Sequence, residues 1–152
     1  MSAYFDSALL VKAYCAEETS PQAIALIRQA APPVPFTHFH ALEIPNALRL
    51  KRHRQELSEA ELTGALRDLQ NDLDTGLLQM PRYDLPLVFE KAAALSADYT
   101  VATGARSLEV AHVAAALAVG ASEFVSFDRR QRNLAAKAGL RVLPARLPAE
   151  YS

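Results

Sequence analysis

Apolar positions along the chain come in short blocks, each closed by a proline, a glycine or a polar turn signal before the next begins. Ala3 to Asp6 reads as a strand, followed by a helical segment from Ala8 to about Cys15. Ser20-Pro21 opens a second helix, with the serine as N-cap and the proline at the first position. Pro32, Pro33 and Pro35 end it and lead into an extended piece, Val34 to Thr37. Thr37 caps a long helix to about Arg54, and Ser58 with Glu61 forms a capping box for a helix ending near Gly76. Leu77 to Met80 is a strand candidate, and Asp84-Leu85-Pro86 opens another helix that Gly104 breaks. Ser107 caps an almost wholly apolar helix up to Gly120. Phe124 to Phe127 reads as a strand, Arg129 to Ala138 as a helix closed by Gly139, and Leu140 to Leu143 as a last strand.

The resulting order, βαα, βαα, βαα, βαβ, implies parallel strands covered by helices on both faces, an α/β sandwich. At 152 residues, 51% hydrophobic and 22% charged, the chain is expected to form one soluble domain, 1–152, with no linker or repeat. A net charge of −1 gives little long-range pull on a phosphate backbone, so any nucleic-acid contact needs a local basic patch. Cys15 is the only cysteine, which leaves no disulfide framework and no cysteine-rich zinc site. Asp6 and Lys12 interrupt the first apolar run, and Val113 to Ala121 is too short to span a bilayer, so a cytoplasmic protein without a membrane segment is expected.

Four acids stand out against this background. In open parallel sheets ligands gather at the carboxyl ends of the strands. Asp6 closes the first strand there, and Asp128 follows the strand Phe124 to Phe127. Glu43 falls in the second turn after Thr37 and Glu109 in the first turn after Ser107. At about 100° per residue, Phe39, Ala47 and Leu50 lie within roughly 40° of Glu43, and Val113 and Ala116 share the face of Glu109. A carboxylate in an apolar stripe needs compensation. Structural roles stand beside the chemical one: Asp128 with Gln131 as a helix start, Glu109 answering a helix dipole, Asp6 as a cap, and Glu43 in an ion pair with an arginine.

A set of carboxylates without histidine or cysteine ligands suits hard, oxygen-seeking Mg²⁺ or Mn²⁺ rather than zinc. Such ions keep waters, bridge to phosphate oxygens and activate a water as nucleophile, so phosphodiester hydrolysis is the reaction class served best.

The same residues carry a family resemblance. Tyr4-Phe5-Asp6-Ser7-Ala8-Leu9-Leu10-Val11-Lys12-Ala13-Tyr14 resembles the opening of PIN-domain proteins, and Ala41-Leu42-Glu43-Ile44 resembles their helical glutamate motif. The stretch from Arg106-Ser107-Leu108-Glu109 to Ala116 is similar to the third motif, and Phe124-Val125-Ser126-Phe127-Asp128-Arg129-Arg130 to the fourth. Together they cover essentially the whole chain. The resemblance implies a three-layer PIN-like sandwich whose central parallel sheet has the order 3-2-1-4-5. It implies a Mg²⁺- or Mn²⁺-dependent endoribonuclease of the VapC-type toxins, which cut tRNA or other structured RNA, dimerise, and are held inactive by a small cognate antitoxin. Carried over, Asp6, Glu109 and Asp128 hold the metal, Glu43 is a ligand or orients the attacking water, and Ser7, Ser126 and Arg106 support these acids. Two positions depart from the family's pattern: Glu109 stands where aspartate is usual, and Ala8 where a second hydroxyl residue is frequent.

The remaining polar residues divide between site and surface. Arg49, Lys51, Arg52 and Arg54 read as a solvated helix end or a phosphate- or antitoxin-binding patch, while Arg129 and Arg130, beside Asp128, are the candidate RNA contacts. His112 reads as a core histidine or a proton-transfer group, His38 and His40 form no zinc spacing, and Pro45 should bend its helix or free a carbonyl. The competing function is a degenerate PIN domain that binds RNA or protein without cutting. A phosphatase or receiver domain is disfavoured, because Asp6-Ser7-Ala8 lacks the second acid those sites require.

Overall fold

The computed structural model describes residues 2–151. Strand β1 (Ala3–Phe5) runs into Asp6, whose carboxylate accepts the Leu9 amide at 2.7 Å and so starts α1 (Ser7–Val11). The chain then forms α2 (Ser20–Gln29), β2 (Val34–Pro35), α3 (His38–His53) and α4 (Glu59–Asp74). These are followed by β3 (Leu78–Gln79), α5 (Leu85–Thr103) and α6 (Ser107–Ala118). The chain continues with β4 (Glu123–Val125), α7 (Arg129–Lys137), β5 (Arg141–Leu143) and a 3-10 turn, Ala149–Tyr151. The expected order of elements is present, with shorter strands. The expected caps at Ser58 and Asp84 are made, and Gly104 ends α5 at φ 69°, where a Cβ is disfavoured. Two caps shift by one residue: Thr19 precedes α2, and Arg106 precedes α6, so Ser20 and Ser107 are the first helical residues.

The five-stranded sheet of order 3-2-1-4-5 does not form. The molecule is mixed α/β but mostly helical, with a three-stranded parallel sheet of order β1-β4-β5 and a separate parallel pair, β2-β3. The physical reason lies in β2. The Val34 and Phe36 amides donate to Leu77 and Gln79 carbonyls of the β3 side, both at 2.8 Å. Alternate residues of a strand turn their amides to opposite neighbours. The residue between them is Pro35, which has no N–H to offer to β1. The next amide, Thr37, is taken by His40 Nδ1 at 2.9 Å. On β1, the Phe5 carbonyl accepts His40 Nε2 at 2.7 Å. A histidine side chain closes the seam where a ladder was expected.

Successive strand residues face opposite sides and seed two apolar clusters. Tyr4 and Phe124 pack with Val88, Val113 and Leu134 on one side. Phe5 and Val125 pack with Leu9, Ile44, Leu48 and Leu69 on the other. Helices thus cover both faces of the three-stranded sheet. Among the described residues no helix is long and apolar enough to cross a membrane.

Candidate functional site

The site begins where β1 and β4 end. Phe5 pairs with Val125, and the Asp6 amide donates to the Val125 carbonyl at 3.0 Å, so Asp6 and Ser126 leave the sheet side by side. Asp6 is only 4% exposed. One of its oxygens accepts the Leu9 amide at 2.7 Å and the other the Ser126 hydroxyl. Burial raises its pKa to about 6, against the Ser126 and Leu9 hydrogen bonds and the His112 charge, with the nearby Asp128 adding to the rise. Ser126 also accepts the Asp128 amide at 3.0 Å, and Asp128 N-caps α7 by accepting the Gln131 amide at 2.9 Å. One hydroxyl therefore fixes both aspartates.

Glu43 enters from α3. The buried face of this helix runs through Phe39, His40, Ile44 and Leu48, while Leu50 is exposed, so Glu43 sits at the margin of the apolar stripe rather than within it. Pro45 lies inside the helix, which continues through it. Among the described residues no arginine answers Glu43. Its Oε1 accepts the Ser7 hydroxyl at 2.9 Å and His112 Nε2, and no donor among the described residues reaches Oε2. Burial works to raise its pKa, but the His112 and Ser7 interactions outweigh this and hold it below the usual glutamate value.

Behind Glu43 runs a buried polar chain that the sequence did not reveal. His112 Nδ1 meets the Tyr4 hydroxyl at 2.8 Å, and that hydroxyl meets Thr37 Oγ1 at 3.2 Å. Thr37 Oγ1 lies 3.2 Å from His40 Nδ1, and His40 bonds the Phe5 carbonyl. Burial, with His112 nearby, lowers the His40 pKa to about 3, so this ring is neutral at physiological pH. Its Nδ1 accepts the Thr37 amide, which leaves Nε2 as the donor to Phe5. The chain thus ties Glu43 to the residue preceding Asp6. The only hint in the sequence was spacing, with His40 three residues before Glu43 and His112 three after Glu109.

Glu109 closes the first turn of α6. Its Oε2 accepts the Arg106 amide at 2.8 Å, and its Oε1 accepts Arg130 Nη2 at 3.2 Å. The same Arg130 nitrogen is 3.9 Å from Asp128 Oδ2. Arg130 thus spans two of the acids. It is Arg106's backbone, not its exposed guanidinium, that bonds Glu109. Arg129 grips the Tyr151 carbonyl through Nε at 3.0 Å and Nη2 at 2.7 Å. In the basic run, Lys51 pairs with Glu17 and Glu56, and Arg52 bonds the Leu57 carbonyl.

All four acids line one cleft of about 530 Å³, with Ser7, Arg106 and His112 in its wall. They ring the cleft without closing on a single point: among the described residues no three histidine, cysteine or acidic side chains are gathered into a metal-binding group. The donor chemistry still fits a hard divalent ion, since Mg²⁺ usually keeps several waters and takes one or two carboxylates. Each carboxylate has about four acceptor sites, more than the protein uses here. Compared with known proteins, the chain matches no protein-family model, and no curated protein matches it.

Proposed function

We propose that this protein is a cytoplasmic Mg²⁺- or Mn²⁺-dependent endoribonuclease, the toxin of a toxin–antitoxin pair. The observation that carries the nuclease reading is the meeting of Asp6, Glu43, Glu109 and Asp128 on one cleft from four separate parts of the chain. Asp6, Glu109 and Asp128 are the residues that would hold the ion, which when bound would activate a water and offset charge on the phosphate. Glu43 is held at one oxygen by Ser7 and His112, which leaves Oε2 to orient a water or complete the ligand set. Ser126 sets Asp6 and Asp128 relative to each other, and Arg130 offsets the repulsion between Asp128 and Glu109. The choice of structured RNA as substrate, the small cognate antitoxin and the homodimer follow from the motif resemblance to VapC-type PIN proteins.

A second reading is a non-catalytic RNA- or protein-binding module. It is favoured by the structural work three of the acids already do: Asp6 and Asp128 cap helices, and Glu109 closes one. Cleavage of tRNA and other structured RNA by purified protein, with Mg²⁺ or Mn²⁺ against EDTA, separates the two. Metal-dependent cutting that Asp6→Asn abolishes is the expected result. Silence of the wild type, together with no Mn²⁺ binding in calorimetry, would leave the binding module.

A further inference from the structure

Beyond the acid cleft, and sharing Asp6 and Asp128 with it, lies a second cavity of about 270 Å³. Its remaining wall has a different chemistry, with Lys12, Arg129, Tyr151 and Phe127. Tyr151 organises this wall. Its carbonyl receives two donors from Arg129, its ring lies 5.2 Å from that of Phe127, and Lys12 Nζ stands 5.7 Å over its ring. Both cations keep unspent donors. Two N–H groups of Arg129 go to the neutral Tyr151 carbonyl, no acid among the described residues pairs with it, and three further N–H groups remain. Lys12 is only 8% exposed and forms an ion pair with Glu17 at 3.6 Å, a separation that consumes none of its N–H donors in a hydrogen bond. Lys12 is one of the residues that line the cavity.

We infer that this second cavity is a subsite for a phosphate of single-stranded polynucleotide, the one adjoining the linkage held at the acid cleft. The inference rests on the nuclease reading for that adjacency, and on the cavity's own groups for the phosphate. An arginine with a fixed fork and a lysine as a point charge are the pair that phosphate recognition uses. At or below the low end of ligand pockets, ~300–1,000 Å³, the cavity takes a phosphate with part of its sugar and excludes a duplex. Two local cations also answer a net charge of −1, which gives the whole molecule no general attraction for RNA.

Hexauridylate binding to the full chain, measured by fluorescence anisotropy in EDTA over a salt series, tests this without cleavage. Arg129→Gln is expected to weaken binding about tenfold and to flatten the log Kd against log salt slope by ~0.7, one single-strand phosphate contact. Lys12→Met should act in the same direction. Because Lys12 is buried, the wild type is also titrated with uridine 5′-monophosphate and with uridine, which carries no phosphate. Only the nucleotide should shift the Arg129 side-chain N–H and Tyr151 amide resonances. Wild-type affinity and slope in Arg129→Gln, or equal shifts from uridine and its monophosphate, would overturn the subsite. Cleavage is read separately. If RNA is cut while Arg129→Gln binds unchanged, the nuclease stands and the subsite falls. If nothing is cut yet binding follows Arg129 and the phosphate, the cavity's assignment to a phosphate holds and the nuclease reading falls.

Discussion

Two buried groups on opposite sides of the β1 end pull the pH dependence of stability in opposite directions. Asp6 has its pKa raised from 3.8 to about 6, so its contribution is complete below 3.8 and is lost as pH rises through about 6. His40 has its pKa lowered from 6.5 to about 3, so its contribution is complete above 6.5 and is lost as pH falls towards 3. Each slope is about 1.4 kcal/mol per pH unit, and over the shared window, about pH 4 to 6, they cancel. Asp6→Asn removes one of the two. In EDTA, urea denaturation of the variant should show stability falling by about 1.4 kcal/mol per unit, relative to wild type, as pH drops from about 6 to about 4. Parallel curves would mean that Asp6 titrates at its ordinary value. Tyr4→Phe tests the polar chain: it strips His112 Nδ1 of its partner and should cost about 1–3 kcal/mol in thermal denaturation. On the nuclease reading it lowers kcat about tenfold with KM unchanged, because Glu43 loses its orientation and no substrate contact is removed. The four acids were legible because carboxylates at strand ends and in apolar helical stripes ask for an explanation, although Glu43 lies at the margin of its stripe. His112 was legible only as a core histidine or a proton-transfer group, and its place in the chain behind Glu43 was not, since its partner Tyr4 is 108 positions away.

At the level of helices and strands, most local signals held, while the strand order did not. Ser58 with Glu61, Asp84 and Gly104 act within a few residues of themselves, and each does what the sequence indicates. Strand order depends on which edges carry donors, and Pro35 silences one edge of β2 across a distance the local pattern does not register. The double use of Asp128 is separable at this scale. Asparagine caps a helix about as well as aspartate, so Asp128→Asn should keep thermal stability within about 0.5 kcal/mol while losing metal-dependent activity. Asp128→Ala should lose the activity and about 1 kcal/mol of stability as well. If Asp128→Asn cuts RNA at the wild-type rate, Asp128 is a cap and nothing more.

For the molecule as a whole, the proposed ion is testable through stability alone. A ligand at a hundred times its Kd adds about 2.7 kcal/mol to the folded state. For a chain of 152 residues this is on the order of 5–10 °C in Tm. Mn²⁺ should therefore raise the melting temperature of the wild type and leave that of Asp6→Asn nearly unchanged, as differential scanning calorimetry would read. Equal shifts in both would place the ion elsewhere. The arrangement of the acids also follows from the division of the sheet. Asp6 and Asp128 come from the ends of the β1-β4-β5 unit, and Glu43 from the helix that follows β2. A continuous ladder would lock those two parts at the fixed strand spacing of ~4.8 Å. Here the Tyr4, Thr37 and His40 side chains bridge them instead. The gauge of the cleft is thereby open to adjustment by single substitutions, in descent or by design, with neither sheet having to be unzipped.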